Sequence, residues 1–349
     1  MSELEIAYSH YNRRKVLATV VLFAAAVAVA FGSIFISQLN YPLETTWSVL
    51  VAHFNGTTTD SRVLELAVWE YNIPRAIMGV FAGAGLAVGG AVMQSLMRNP
   101  LADPYTTGVA SGASFGAALA ITMGFVVIPT GTYNLDITIN AILFSFIPTV
   151  AIVLISKKKN ITPTTMILAG VAIMYIFRAC TSLMTMISDA EDVEQLYIWN
   201  VGSLGPARWD NVWYVVIMTT VCTAILMMLS RSIGVMTTGD KSASTMGVNV
   251  KIVRAVSLIL VASMTATIVG FTGTIGFMGL VAPHIARMIV GSNVKYLIPC
   301  SAGVGALFLV VADCIAKPIV EMHVGVITAL IGGPIFIVLL IRGAKKVWF

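Results

Sequence analysis

Residues 72–116 read NIPRAIMGVFAGAGLAVGGAVMQSLMRNPLADPYTTGVASGASFG, and they limit the fold more than any other stretch. Arg75 opens an apolar run to Leu96 that carries two glycine pairs in GxxxG spacing, Gly79 with Gly83 and Gly85 with Gly89. Small residues four apart share one helix face and let a second helix approach closely in lipid. A polar turn follows, Arg98-Asn99-Pro100-Leu101-Ala102-Asp103-Pro104, in which the prolines stop the helix. Beyond it, Gly108, Gly112 and Gly116 repeat the spacing. The stretch predicts two membrane helices that pack tightly on each other and meet at a rigid turn.

A membrane crossing takes about 20 mostly apolar residues. The 349-residue chain holds ten such runs: 16–36, 75–96, 105–127, 137–155, 164–187, 212–229, 252–271, 275–290, 296–315 and 324–341. The eighth is short and rich in glycine. With 58% hydrophobic and 11% charged residues, the composition excludes a soluble core. The expectation is an all-α polytopic membrane protein, one transmembrane domain over 1–349, with 1–15 as a cytoplasmic lead and 231–250 as the longest internal loop. The first apolar run is too long for a cleavable leader.

Charge supports that count. With the N-terminus inside, Arg13, Arg14, Lys15, Arg98, Lys157, Lys158, Lys159, Arg231, Lys241, Lys251, Arg254, Arg287, Lys295, Arg342, Lys345 and Lys346 fall on the cytoplasmic side. Only Arg62, Arg75, Arg208 and Lys317 fall outside, and Arg178 lies within the fifth span. Glu44, Asp60, Glu65, Glu70, Asp136, Asp189, Glu191, Asp192, Glu194, Asp210 and Glu321 also fall outside. This positive-inside bias predicts a multi-pass protein of the cell membrane with both termini cytoplasmic. The net charge of +5 then reflects orientation and not nucleic-acid binding.

The residues carry no catalytic constellation. Cys180, Cys222, Cys300 and Cys314 show no CxxC spacing, and His10, His53, His284 and His323 are scattered. There is no HExxH, Walker A or nucleophile elbow, so neither a metal site nor an ATPase is expected on this chain. Segment 45–54 is moderately apolar and 62–71 predicts an amphipathic helix, and both fit a position along the membrane surface. In the internal loop Asp240 is a good N-cap and Gly247 a good stop, with a helix of under two turns between them. Gly273, Gly276 and Gly279 recur every third residue before Pro283 and a packing His284. Asp313, near the outer end of the ninth span, is the one acid not assigned outside a span, which argues against an ion-coupled secondary transporter.

The pattern PRxxxGxxxGAxLAxxGxxxQxxxRNPLADPxxxG closely resembles the permease subunit of ATP-binding-cassette importers for iron chelates, haem and cobalamin. Further matches are Trp199-x-x-Gly-Ser-Leu before Trp209, GDxxAxxMGVNV at 239–250, GFTGTIGFMGLVAPHIAR, and VGVITALIGGPIF near the end. Together they run in order from 72 to 342. The resemblance implies a ten-helix permease fold, and the small-residue helices before the polar turn and after Phe271 suggest two related halves, a weak internal repeat. It implies a homodimer with the pathway at its interface, two ATP-binding subunits inside and an external substrate-binding protein. ATP and magnesium would sit on the partner ATPase and no cofactor on this chain. Cargo would be an iron(III) chelate of siderophore type, with haem, cobalamin or an oxyanion as alternatives.

Residue by residue, the resemblance implies that Gly239, Asp240, Met246 and Gly247 belong to the ATPase-coupling segment, with Met246 where leucine is common. Arg75 and Lys317 fall where external basic residues receive the binding protein, although Asn72 replaces a second basic residue and Lys317 an arginine. The fifth helix borders the pathway in such permeases, which makes Arg178 a candidate pathway residue. Its plainer reading is outward pairing with Asp189, Glu191 or Asp192.

Overall fold

The computed structural model describes residues 3–36, 42–57, 61–156, 161–319 and 322–343. The Lys157-Lys158-Lys159 anchor, Asp60, Glu321, Lys345 and Lys346 lie outside these. The described chain is helical: α1 (Glu3–Ser33), α2 (Leu43–Phe54), α3 (Arg62–Glu65), α4 (Ile73–Met97), α5 (Val109–Met123), α6 (Tyr133–Ser156), α7 (Pro163–Ile187), α8 (Ala190–Val201), α9 (Trp209–Met228), α10 (Ser230–Met236), α11 (Asp240–Thr245), α12 (Val250–Thr272), α13 (Met278–Val290), α14 (Val294–Ala316) and α15 (Val324–Gly343). Eight of the resulting segments are long and apolar enough to cross a membrane, and α5 and α13 are shorter apolar helices. The ten predicted runs are all helical, with three changes at their edges.

The first change concerns the external connection. Residues 62–71 do not form a separate surface helix. A π-helical turn, Leu66–Asn72, joins α3 to α4 so that 62–97 is continuous. Against it lies α2, through a small apolar cluster of Val49, Leu50, Leu64 and Val68 with Ile34 at the end of α1. Asn72 closes this corner by donating from Nδ2 to the Ile34 carbonyl at 3.1 Å.

Helix α4 is the axis of the bundle, since 83% of its most apolar stretch is buried. Its neighbours are α14, α13, α12 and α9. The glycines explain how so many helices reach it. Gly83 lies directly on Gly305 of α14, Gly90 on the backbone of Gly279 in α13, and Gly85 on Ile268 and Thr219. The predicted packing of the two glycine-bearing helices on each other is not found. Instead α5 turns its glycines to α6: Gly112 meets the Phe144 carbonyl and Gly116 the Asn140 carbonyl.

The reason is the turn between them, which is the second change. It is more than a rigid turn between two packed helices. Arg98 takes a left-handed conformation (φ 48°) that ends α4, and the chain doubles back until Pro104 lies against Gly89. Asp103 then caps a single 3-10 turn, Pro104–Thr107, by accepting from the Thr106 N–H at 2.8 Å. Helix α5 therefore begins part-way along α4 and spans only 15 residues, about 22 Å.

The third change is similar. After α12 ends, residues 273–277 run without helix, and α13 starts only at Met278, with Phe277 left-handed (φ 67°) as its N-cap. The two broken segments meet. The Tyr105 hydroxyl donates to the Ile275 carbonyl and accepts from the Ile275 N–H, both at 3.1 Å, and Gly279 abuts Pro104 and Asp103.

This packing sets an order of tolerance. A methyl at Gly83 or Gly90 would overlap backbone that cannot move aside, whereas Gly276 has nothing within 4 Å and an ordinary φ. Gly83→Ala and Gly90→Ala should each destabilise by about 1–3 kcal/mol, and Gly276→Ala by much less. Thermal unfolding of the purified protein in detergent checks this. Equal midpoints for all three variants would show that the close approaches do not hold the bundle.

Candidate functional site

At the end of the bundle where α4 stops, α11 projects as a short helix between two glycine joints. Gly239 (φ 118°) is its N-cap, not Asp240 as the sequence predicts. The Asp240 carboxylate is drawn instead into an ion-pair network. Its Oδ1 accepts from Arg254 Nη2 of α12 at 2.8 Å and lies 3.7 Å from Arg98 Nη2 at the C-cap of α4. Long-range charge wins over local capping because Arg254 is nearly buried and needs an anion. The stop at Gly247 is as read. Gly247 is left-handed (φ 84°), its N–H bonds to Ser244 O, and Val248 N–H bonds to Ala243 O. This is the paired closure that satisfies the last carbonyls of a helix. Met246, just before it, is 66% exposed at the tip.

At the opposite end, the two predicted external cations are not exposed side by side. Both converge on one buried carboxylate. Arg75 donates from Nε and Nη2 to both oxygens of Asp313 at 2.8–3.1 Å. Lys317 Nζ lies 3.9 Å from the other side of Asp313 and donates to the Ser33 carbonyl at 2.8 Å. The Asp313 and Lys317 side chains are each 2% accessible and that of Arg75 19%. The physical cause is Asp313 itself, a carboxylate at the end of an apolar helix that must be paired. The cluster ties α1, α4 and α14 together and leaves outward surface on Arg75 alone. Nearby, Trp209 Nε1 donates to the Trp69 carbonyl at 2.9 Å. A cavity of about 670 Å³ opens at this end between α6, α8, α9 and α12, with Asn134, Gln195, Trp199, Arg208 and Asp210 in its wall.

Between the ends, Gln94 on α4 is fully buried. It donates to the Gly279 carbonyl at 3.3 Å and accepts from Arg287 of α13 at 3.2 Å. Sequence reading left this pair unassigned, although a glutamine in an apolar run and an arginine in the eighth were visible signals. His284 is buried as expected and meets the Phe336 ring edge-on at 5.6 Å. Arg178, on α7, is exposed. Its expected pairing with Asp189, Glu191 or Asp192 is absent among the described residues. Among them, too, no group of three His, Cys, Asp or Glu side chains has a metal-binding arrangement.

The bundle thus combines glycine-packed crossings, two broken helices and a tethered short helix at one end. The model of the FecCD transport family matches residues 20–342, and the chain belongs to that family. It is 32% identical to the Fe(3+)-citrate import system permease protein YfmE of Bacillus subtilis, covering 95% of both chains. It is 34% identical to the hemin transport system permease protein HmuU of Yersinia pestis, over 93% of this chain and 95% of that one. The cobalamin import system permease protein BtuC of Halobacterium salinarum is 38% identical over 79% of this chain and 73% of its own. A solved metal-chelate type ABC transporter in an inward-facing conformation superposes with a TM-score of 0.80 at 30% identity, covering 93% of this chain and 98% of that one.

The Asp313 cluster yields a clear contrast. Asp313→Asn would leave two cations facing each other inside the fold and should cost about 3–5 kcal/mol. Lys317→Met keeps the bidentate Arg75–Asp313 pair and should cost far less. Thermal unfolding of both variants checks the order, and a Lys317→Met protein as unstable as Asp313→Asn would overturn it.

Proposed function

We propose that this chain forms, with a second copy of itself, the translocation pathway of an importer for iron(III) chelates. Two ATP-binding subunits attach on the α11 side, which is cytoplasmic in this reading, and an external binding protein delivers cargo at the Asp313 end. ATP and magnesium act on the partner. The observation that carries the proposal is α11. It is a helix of six residues presented beyond the bundle, jointed at Gly239 and Gly247, with an exposed apolar tip at Met246. Its one carboxylate is bonded back to α12 and α4. A solvated connector needs none of this, while a segment that must pass a push from a partner into the bundle needs all of it.

Iron(III) chelate is the cargo that the relatives favour, since ferric citrate and hydroxamate systems of Bacillus subtilis recur among them at 30–32% identity. Cobalamin is the second reading, because the Halobacterium salinarum relative is the more identical at 38%. Docking of the binding protein falls to Arg75, the member of the Asp313 cluster with outward surface, and Lys317 supports it from inside.

The test is ATP-driven uptake of radiolabelled ferric citrate and of cobalamin by the complex in proteoliposomes. Met246→Asp places a charge on an exposed tip and should leave folding intact while lowering uptake at least tenfold. Asp240→Asn weakens both cationic links and should leave ATP hydrolysis running with little transport. Undiminished uptake in Met246→Asp would remove α11 from coupling, and uptake that ignores the ATPase would remove the reading altogether.

A further inference from the structure

Helix α1 packs along α14, with Leu22 and Phe23 against Gly303. Two turns before Leu22, on the same face of α1, stands Lys15. It is 8% exposed, and its Nζ lies 5.1 Å from the centre of the Tyr296 ring of α14. Lys295, exposed in the first turn of α14, brings a second ammonium to 5.7 Å from the same ring. Arg13 and Arg14, both exposed, precede Lys15. Among the described residues no carboxylate pairs with Arg13, Arg14 or Lys295. This is the α11 end of the bundle, because Val294, which opens α14, lies beside Gly234 of α10.

Orientation in the membrane asks for cations at this level, but not for two of them on one ring. An ammonium near an aromatic face is attracted to it, yet two ammoniums gathered at one ring repel each other. An anion beside them offsets that repulsion. Further along α1 the surface is apolar. Leu17 and Val21, 61% and 57% exposed, follow Arg14 at i+3 and i+7 and continue its side of the helix. Cations at the foot of an exposed apolar track suit a molecule with a charged head and a long tail better than a free ion.

We propose that Arg14, Lys15 and Lys295, gathered around Tyr296, form a binding site for one anionic phospholipid. Its phosphodiester sits among the three cations, and its acyl chains run along Leu17 and Val21. The ligand class is a phospholipid with net negative charge, such as phosphatidylglycerol. A zwitterionic lipid brings its own cation to the cluster and gains less from it. Bound there, the lipid fastens α1, of whose most apolar stretch only 22% is buried, to α14. Neither cargo nor ATPase enters this site, so it stands or falls apart from the transport reading.

Native mass spectrometry of the full-length permease in detergent, titrated with phosphatidylglycerol or phosphatidylcholine, tests the site. One phosphatidylglycerol per chain should bind more tightly than phosphatidylcholine, by roughly tenfold or more for three cations. Arg14→Gln and Lys295→Gln should each weaken it about fivefold, the contribution of one cation at an anionic lipid surface. Lys251→Gln removes the same charge from an exposed position on α12 and should leave the affinity unchanged. Tyr296→Leu alters no charge, yet it removes the ring that gathers the lysines and should weaken binding as Lys295→Gln does. Tyr296→Phe should retain it. Thermal unfolding of each variant reports on folding, and Lys295→Gln, at an exposed position, decides the matter if Tyr296→Leu is unstable. Equal affinity for the two lipids would overturn the proposal. So would equal weakening by Lys251→Gln and Lys295→Gln, or undiminished binding in a folded Tyr296→Leu protein, since either means that the lipid responds to net charge alone. Displacement of phosphatidylglycerol by millimolar inorganic phosphate would reveal a site for free anions and overturn the assignment to lipid.

Discussion

The structure depends on the close approach of the α4 backbone to the backbones of α14 and α13. Lipid offers no hydrophobic drive for helices to associate, so their contact must come from dispersion at short range. Gly83 on Gly305 and Gly90 on Gly279 bring main chains together on two sides of the same helix. A third approach at Gly85 admits α12 and α9. Because four helices fix α4, its two ends become stable mounting points, and the Asp313 and Asp240 charge networks are mounted there.

That packing also makes the broken segments possible. A non-helical backbone at membrane depth survives only if its polar groups are satisfied inside the protein. Here the Tyr105 hydroxyl serves both the N–H and the C=O of Ile275. The Thr274 hydroxyl is bonded to the Asn200 carbonyl, and Ser203 N–H closes on Thr272 O at 2.7 Å. Among the described residues, the two left-handed non-glycine residues, Arg98 and Phe277, each sit at the start or end of such a segment. Left-handed backbone in a bulky residue is unfavourable and persists only where surrounding contacts impose it. For Phe277 that contact is Gly332 of α15, which has no side chain to obstruct the ring.

Much of this was legible in the sequence, and what was not has identifiable causes. Runs of apolar residues and the distribution of lysine and arginine report the solvent around each segment, so the helices stand where expected. The glycine spacing announced close contact correctly but not with whom, because a GxxxG face specifies approach and carries no address. Pro100 and Pro104 signal a stop, yet nothing local says that the chain then folds back along α4. The capping role read for Asp240 followed sound local rules, and a cation fourteen residues away overrode them. Arg75 and Asp313 are 238 residues apart, and only the fold could show that a residue read as surface-facing has a buried partner.

The magnitudes of the two links at Asp240 decide how a displacement of α11 would spread. The contact to Arg98 is 3.7 Å long between side chains that are each about one-third accessible, and such pairs are worth about 0–1 kcal/mol. The contact to Arg254 is 2.8 Å, and Arg254 is 6% accessible. Breaking it would strand a buried cation, which costs several times more. Movement of α11 therefore lets go of α4 before it lets go of α12. Helix α4 is held by glycine contacts on several sides and is the poorer candidate to shift in any case. Helix α12 runs from Asp240's partner to Thr272, and its last residues, Gly270, Phe271 and Thr272, form part of the wall of the 670 Å³ cavity at the far end. The stiff link and α12 thus connect α11 to the opposite mouth of the bundle, while the central helix stays as the frame.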